Sequence, residues 1–365
     1  MSLAHPRARD NPGVEEQEMH PSVAFSVDDT EDWGLPLAGP GLLLGVPREG
    51  PWRHPPSLHV EAAPDYRLRL SSGGQPLLWV RIDSWWDRCG FLRGNAHAPW
   101  GLPSLSAAEV REVAHAPGTD RWWEAWMWRL GRALAQSEHP VLHAGRWCLR
   151  PLRAIPASEA YHYPVSTMEW RFGQPPLPPH SPEGVLRFER FRVEAWSSYG
   201  EPSEVRTGAM MPLRAPSPED DGRVKSWRKR ARDGTLPPVV LLYVDLLMKW
   251  LVIDGHDRLH AALLEGVPPP LLGLWPVHEE VLPALPEKYE GIMRAAEHHL
   301  RAGATPSLVD RVNRMLLVNY AQRRRSTVTR GWPLKGGLEA WRAEVLASRR
   351  WSPFPADTED WEWFA

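Results

Sequence analysis

Trp250–Pro270 reads WLVIDGHDRLHAALLEGVPPP. It begins as an apolar run, turns at Asp254-Gly255, and continues with Leu259, Ala262 and Leu263 at the spacing of one helix face. Gly266 is a natural stop for that helix. The stretch predicts a strand, a tight turn and a helix, with four charged or titratable side chains at the junction. The preceding run, VVLLYVDLLMKWLVI over 239–253, is apolar enough for a buried helix. Pro237-Pro238 opposes a helical approach from upstream, and β-branched residues sit at both ends of the run. Two neighbouring strands, roughly 238–244 and 249–253, with a tight reversal between them, are therefore expected.

The junction has the chemistry of an anion site. The first N–H groups of a helix have no acceptor within it, and the helix dipole favours negative charge there. Gly255 lets that backbone approach a phosphate closely. Arg258 adds a planar cation suited to two oxygens. His256 donates a hydrogen bond or serves as acid or base near neutral pH. Asp257 does not suit a simple phosphate cradle. It is expected to cap the helix or to hold His256, Arg258 or a metal ion. The plainer alternative is that Asp254-Gly255 is only a turn and Asp257 only a cap.

Outward from the junction, the 365 residues suffice for one large or two ordinary domains, and 42% hydrophobic content allows a sizeable core. A net charge of −2 is not the global signature of a nucleic-acid binder. No run of 18 apolar residues suggests a membrane span, and no secretory signal is visible, so a cytoplasmic protein is expected. Cys89 and Cys148 cannot make a disulfide framework or a cysteine-rich zinc site. Arginine supplies nearly all the positive charge, with 39 prolines and 21 tryptophans. GC-rich bacterial codon usage accounts for this better than a tryptophan-lined ligand surface, because the tryptophans are spread along the whole chain.

Residues 1–20 read as a polar leader, and 21–172 as a Trp-rich α+β domain of short strands. "YRLRLSS" (66–72) and "QPLLWVRIDSWW" (75–86) read as strands joined by a Ser-Gly-Gly turn. Ser106 with Glu109 forms a capping box. Trp123, Trp126, Met127, Leu130 and Leu134 make a core-facing helix stripe after Thr119 or Asp120. The proline-rich 172–183 reads as a stiff linker and the candidate boundary. A small mixed-sheet core is expected over 184–278, with an amphipathic strand in 185–196 and a basic helix over 223–234. Residues 283–350 read as helical, with Arg323, Arg324 and Arg325 at a helix end. An acidic aromatic tail, 351–365, is expected to dock on the body or on a partner. The fold class is therefore α+β.

In order, 223–234, Pro237 or Pro238, 239–253, Asp254-Gly255-His256-Asp257-Arg258 and 271–277 give a basic helix ending in glycine, a proline, two strands, a DGxxR turn opening a helix, and another strand. Over about 204–278 this order resembles the core of the ParB/sulfiredoxin superfamily. The resemblance implies nucleotide binding with phosphates on the turn. ParB proteins bind and hydrolyse CTP, sulfiredoxin uses ATP to repair overoxidised cysteine, and free-serine kinases of this fold phosphorylate a small hydroxyl. The chain departs from each. His256 stands where sulfiredoxin's catalytic cysteine would fall. Asp257 stands where ParB's second basic residue and the kinases' histidine would fall. No recognisable helix-turn-helix follows the core.

The resemblance implies a nucleotide-dependent phosphotransferase or NTPase using a nucleoside triphosphate or diphosphate (ATP or CTP) and Mg²⁺. Gly255, His256, Asp257 and Arg258 would bind the nucleotide, Asp254 or Asp257 would hold the metal, and His256, Asp257 and Glu219 are the candidate catalytic groups. Glu219 enters because the loop before the basic helix comes near the site in this fold. One alternative is a non-catalytic scaffold or immunity-type module that retains the fold and recognises a protein partner. A second is a ParB-like DNA binder using Lys225, Arg228, Lys229, Arg230 and Arg232, which the neighbouring acidic stretch disfavours.

Overall fold

A computed structural model of the protein describes residues 24–28, 41–47, 55–83, 88–94, 101–156, 176–181, 185–195, 208–282, 286–301, 305–319, 322–351 and 358–365. In chain order these form β1 (Ala24–Asp28), β2 (Gly41–Val46), β3 (Leu58–Ala63), β4 (Arg67–Ser72), β5 (Gln75–Ile82), β6 (Arg88–Arg93), α1 (Ala107–Glu112), α2 (Asp120–Gln136), β7 (Gly145–Leu152), β8 (Phe191–Ala195) and β9 (Met210–Pro212). There follow α3 (Gly222–Arg232), β10 (Val239–Val244), β11 (Lys249–Asp254), α4 (His256–Leu264), β12 (Leu271–Leu282), α5 (Pro286–Arg301), α6 (Pro306–Asn319), β13 (Gln322–Ser326), β14 (Gly331–Pro333), α7 (Gly337–Trp351) and α8 (Thr358–Phe364). The fold is α+β, with two mixed sheets. One has eight strands in the order β1-β2-β7-β12-β10-β11-β9, with β13 pairing β12; the other has six, β14-β3-β4-β5-β6-β8.

The apolar run 239–253 forms two antiparallel strands. A 3₁₀ turn over Asp245–Leu247 reverses the chain, and Met248 completes it in the left-handed region at φ 48°. Alternate side chains then enter two different cores. Val240, Leu242, Val244, Leu251 and Ile253 join one, while Val239, Leu241, Tyr243, Trp250 and Val252 join the other. A sheet covered on both faces needs apolar residues at every position, which is why the run lacks strand alternation. β12 lies parallel to β10 on its other side.

The expected boundary at 172–183 does not separate two bodies. β7 pairs antiparallel with β12 from Arg146 opposite Val277 to Leu152 opposite Leu271, so one sheet joins both halves of the chain. Within the proline-rich stretch, Pro176–His180 is buried. The Trp250 indole N–H donates to the Leu177 carbonyl at 2.7 Å. Prolines bring no N–H to satisfy, so Pro176, Pro178 and Pro179 enter the interior without unmet donors. The flanks 172–175 and 182–183, and the leader 1–20, lie outside the described residues. The strand expected in 185–196 is β8, but it pairs with β6 in the six-stranded sheet rather than joining the 184–278 core.

The region 283–350 is not wholly helical. β7 pairs with β12 as far as Val277, and the remaining edge, His278–Leu282, is taken by β13. Arg323, Arg324 and Arg325 thus lie in a strand, where edge pairing overrides the helix-end reading. β14 extends the other sheet through β3. The capping box at Ser106 and the Thr119 cap are both present. α2 lays its tryptophan stripe on β2 and β7, with Gly131 close against Leu42 and Phe25. The aromatic tail forms α8, whose Trp361 and Phe364 pack with Trp79, Leu92, Trp341 and Val345. Across the two sheets, Lys249 of β11 pairs with Glu194 of β8 at 3.0 Å. Among the described residues no helix is long and apolar enough to cross a membrane.

Candidate functional site

The junction between β11 and α4 is built around a reversed arginine. Gly255 caps α4 at φ 89°. A Cβ there would stand 2.8 Å from Arg258 Nη2, so the guanidinium folds back beneath the glycine, where no other residue leaves room. Arg258 is 1% exposed. It donates to Asp254 Oδ2 at 2.5 Å and to the Pro238 carbonyl at 2.9 Å. Its Cζ lies 5.8 Å from the Trp227 ring centre on α3. Arg258 Nε and the Trp227 indole N–H are both buried and have no acceptor among the described residues.

His256 and Asp257 face the loop before α3. His256 Nε2 accepts from the Leu213 and Arg214 N–H groups at 3.2 and 3.4 Å. That assigns the proton to Nδ1. Burial, reinforced by Arg214, pushes the imidazole down to about 3, so it is neutral at physiological pH. Asp257 Oδ1 accepts the Ser217 N–H at 2.9 Å, and Oδ2 accepts from Arg214 Nη2 at 3.3 Å. Arg223 Nε stands 3.7 Å from the same oxygen. Burial alone would raise the Asp257 carboxyl, but the Ser217 hydrogen bonds and Arg214 outweigh it and hold it below the usual range. Asp257 therefore neither caps α4 nor stands free: it fastens the 213–217 loop and aims two arginines.

These groups line a cleft of about 430 Å³, counting the space open to solvent. Its walls are Leu102, Ser104, Arg214, Arg223, Trp227, Ile253 and the residues Asp254 to Arg258. Three guanidinium groups face two carboxylates, and the α4 N-terminus adds its partial positive charge. The cleft suits an anionic oxygen cluster. Of the two carboxylates expected to hold a metal, Asp254 gives Oδ2 to Arg258, and both Asp257 oxygens accept hydrogen bonds. Among the described residues no group of three or more His, Cys, Asp or Glu is placed to hold a metal. The acid–base role expected of His256 does not fit either, because its lone pair is already used by two backbone donors. Glu219 sits on the exposed turn before α3, outside the cleft walls.

Sequence reasoning reached Asp254 through Arg258 and missed the rest. Arg214 and Ser217 lie in a proline-punctuated loop with no motif. Leu102 and Ser104 come from more than a hundred residues upstream. Trp227 and Arg223 were legible only as parts of a basic helix. On that helix Arg228 and Arg232 are both tied to Glu265, at 2.5 and 2.8 Å, which removes two of the five cations offered to DNA. Comparison of the chain with protein-family models, with curated proteins and with solved structures finds no match.

Proposed function

We propose that the cleft at the α4 N-terminus binds the phosphate groups of a nucleotide, as a binding site rather than a reaction centre. The observation that carries the reading is the convergence of two partly exposed arginines, Arg214 and Arg223, on the α4 N-terminus, in a cleft whose two carboxylates, Asp254 and Asp257, are already paired with arginines. Phosphate oxygens would be held by Arg214, Arg223 and the first N–H groups of α4, with the buried Arg258 adding its charge from behind. The order α3, β10, β11, α4, β12, with β12 parallel to β10, supports a ParB/sulfiredoxin-like core. The engaged carboxylates and the neutral, occupied His256 favour the scaffold form of that core over a phosphotransferase or NTPase. Ligand binding would then set the position of the 213–217 loop for a protein partner.

A thermal-shift series with ATP, CTP, ADP and pyrophosphate, each with Mg²⁺ and with chelator, tests this beside a phosphate-release assay. Binding to the native state raises the melting point. The expected result is stabilisation by at least one nucleotide in chelator as well as in Mg²⁺, with no turnover. No shift with any of them removes the nucleotide reading. Turnover lost on Asp257→Asn restores the enzymatic one.

A further inference from the structure

A second concentration of positive charge lies on the six-stranded sheet, under α7. Arg67 of β4 and Arg81 of β5 stand directly opposite each other. Like charges at such a pair repel. The next pair on the same face is Arg69 opposite Trp79. There α7 supplies Glu344, which accepts from both Arg69 and Trp79 Nε1, while Glu61 takes the rest of Arg69. Over the Arg67–Arg81 pair, α7 presents Trp341 and another cation, Arg342, instead. Compensation is sparse. Arg67 is 1% exposed, its Nε has no acceptor among the described residues, and Asp65 reaches it only at 3.4 Å. Neither Arg81 nor Arg342 makes an ion pair among the described residues; Arg81 stacks on the Trp363 ring of α8 at 5.1 Å, and Asp65 and Asp83 offset its charge only from a distance. The turn that carries Asp65 is strained: Asp65 and Tyr66 both hold positive φ, 58° and 56°. It leaves Tyr66, the residue before Arg67, 54% exposed.

We propose that this corner, with Arg81 and Arg342 as direct contacts and Arg67 beneath them, is a second anion site that takes a phosphate dianion. One row of the face is matched closely by carboxylates from its own chain, while the adjacent row of two arginines has only Asp65 in ion-pair range, at 3.4 Å. The missing negative charge is what a bound dianion brings, and guanidinium pairs are suited to its oxygens. Burial first, then Arg67 and Arg342, push the Arg81 guanidinium down to about 10 against the pull of Asp65 and Asp83. The exposed Tyr66 ring offers a flank for the organic part of a phosphate monoester.

The test is thermal melting of the full chain in sodium phosphate against sodium chloride at equal ionic strength, and again with phenyl phosphate. Wild type is compared with Arg342→Gln, Arg342→Lys and Arg223→Gln; the last reports the α4 cleft separately. Arg342 is exposed on a helix, where glutamine is well tolerated. In chloride, Arg342→Gln is expected to melt at or above wild type, because a repulsion is relieved. In phosphate its gain over chloride should fall to half or less of the wild-type gain, with Arg342→Lys in between. A larger gain with phenyl phosphate identifies an ester ligand, and an equal gain the free ion. A phosphate gain in Arg342→Gln equal to that of wild type overturns the proposal, whatever Arg223→Gln shows.

Discussion

The two ends of β11 hold two buried ion pairs with different meanings. At the first residue, Lys249 meets Glu194 at 3.0 Å, with both side chains under 10% exposed and Arg192 completing the carboxylate. At the last, Asp254 meets Arg258 at 2.5 Å beside an open cleft that leaves donors without acceptors. The first pair is sealed between sheets and joins them. The second faces a space that can be filled. A buried charge is thus no sign of a site by itself; what marks one is hydrogen-bonding capacity left over next to a cavity.

Removing one partner from each pair separates these roles. Lys249→Ala leaves Glu194 desolvated at the sheet junction and should cost about 3–5 kcal/mol in urea unfolding, with Lys249→Met closer to the low end. Arg258→Ala should cost less, about 2–3 kcal/mol, because Asp254 borders the cleft and gains water. If the Arg258 variant proved the less stable of the two, the sealed pair would not be the joint between the sheets.

Acid should destabilise the fold through two buried histidines, His256 at the α4 junction and His180, which feels the charge of Lys249. Burial holds His256 at about 3 and His180 at about 4, both below the ordinary 6.5. The unfolded chain therefore takes up protons that the native state refuses. Stability from these groups is full above about pH 6.5 and declines as the pH falls toward 4, by about 1.4 kcal/mol per pH unit for each histidine. His256→Gln keeps an acceptor for the Leu213 and Arg214 N–H groups and cannot titrate. It should flatten the decline by one group's share; an unchanged pH profile would mean that His256 is protonated in the folded protein.

A smaller effect is expected at Asp257. Asp257→Asn keeps an acceptor for the Ser217 N–H and loses the charge that aims Arg214, so stability should fall by about 1 kcal/mol. Freed from the carboxylate, Arg214 and Arg223 should hold phosphate as well as before or more tightly in the absence of Mg²⁺. A loss of affinity confined to Mg²⁺-containing buffer would instead make Asp257 a metal ligand.

How much of this was legible depended on distance along the chain. Apolar runs, Pro237-Pro238 and Asp254-Gly255 gave β10, β11 and α4, and Ser106 and Thr119 gave two helix starts, because each signal acts within a few residues. Pairing of β7 with β12 carries no local mark, so the sheet that crosses the expected boundary was invisible. Pro176–His180 looked like a linker because proline usually signals exposure; here its missing N–H is what permits burial. Arg323–Arg325 pair as an edge strand in which Arg324 and Arg325 face Glu280 and Glu279, a match with no mark near the arginines themselves. At the site, residue types at the turn were readable, but their commitments were not. Asp257 and His256 are spent on Arg214, Ser217 and Leu213, some forty residues upstream, which no spacing rule reveals.

The smallest expected stability change accompanies the most direct test of phosphate binding at the cleft. Arg223 is partly exposed and should lose no more than about 0.5 kcal/mol on Arg223→Ala. Calorimetric titration of ATP, CTP and pyrophosphate into wild type and Arg223→Ala, in chelator, reads the site without metal. The expected result is a ligand that binds wild type and binds the variant about tenfold more weakly, as loss of one charge-assisted contact of about 1.4 kcal/mol implies. Equal affinity in an equally stable variant would contradict phosphate binding at the α4 cleft.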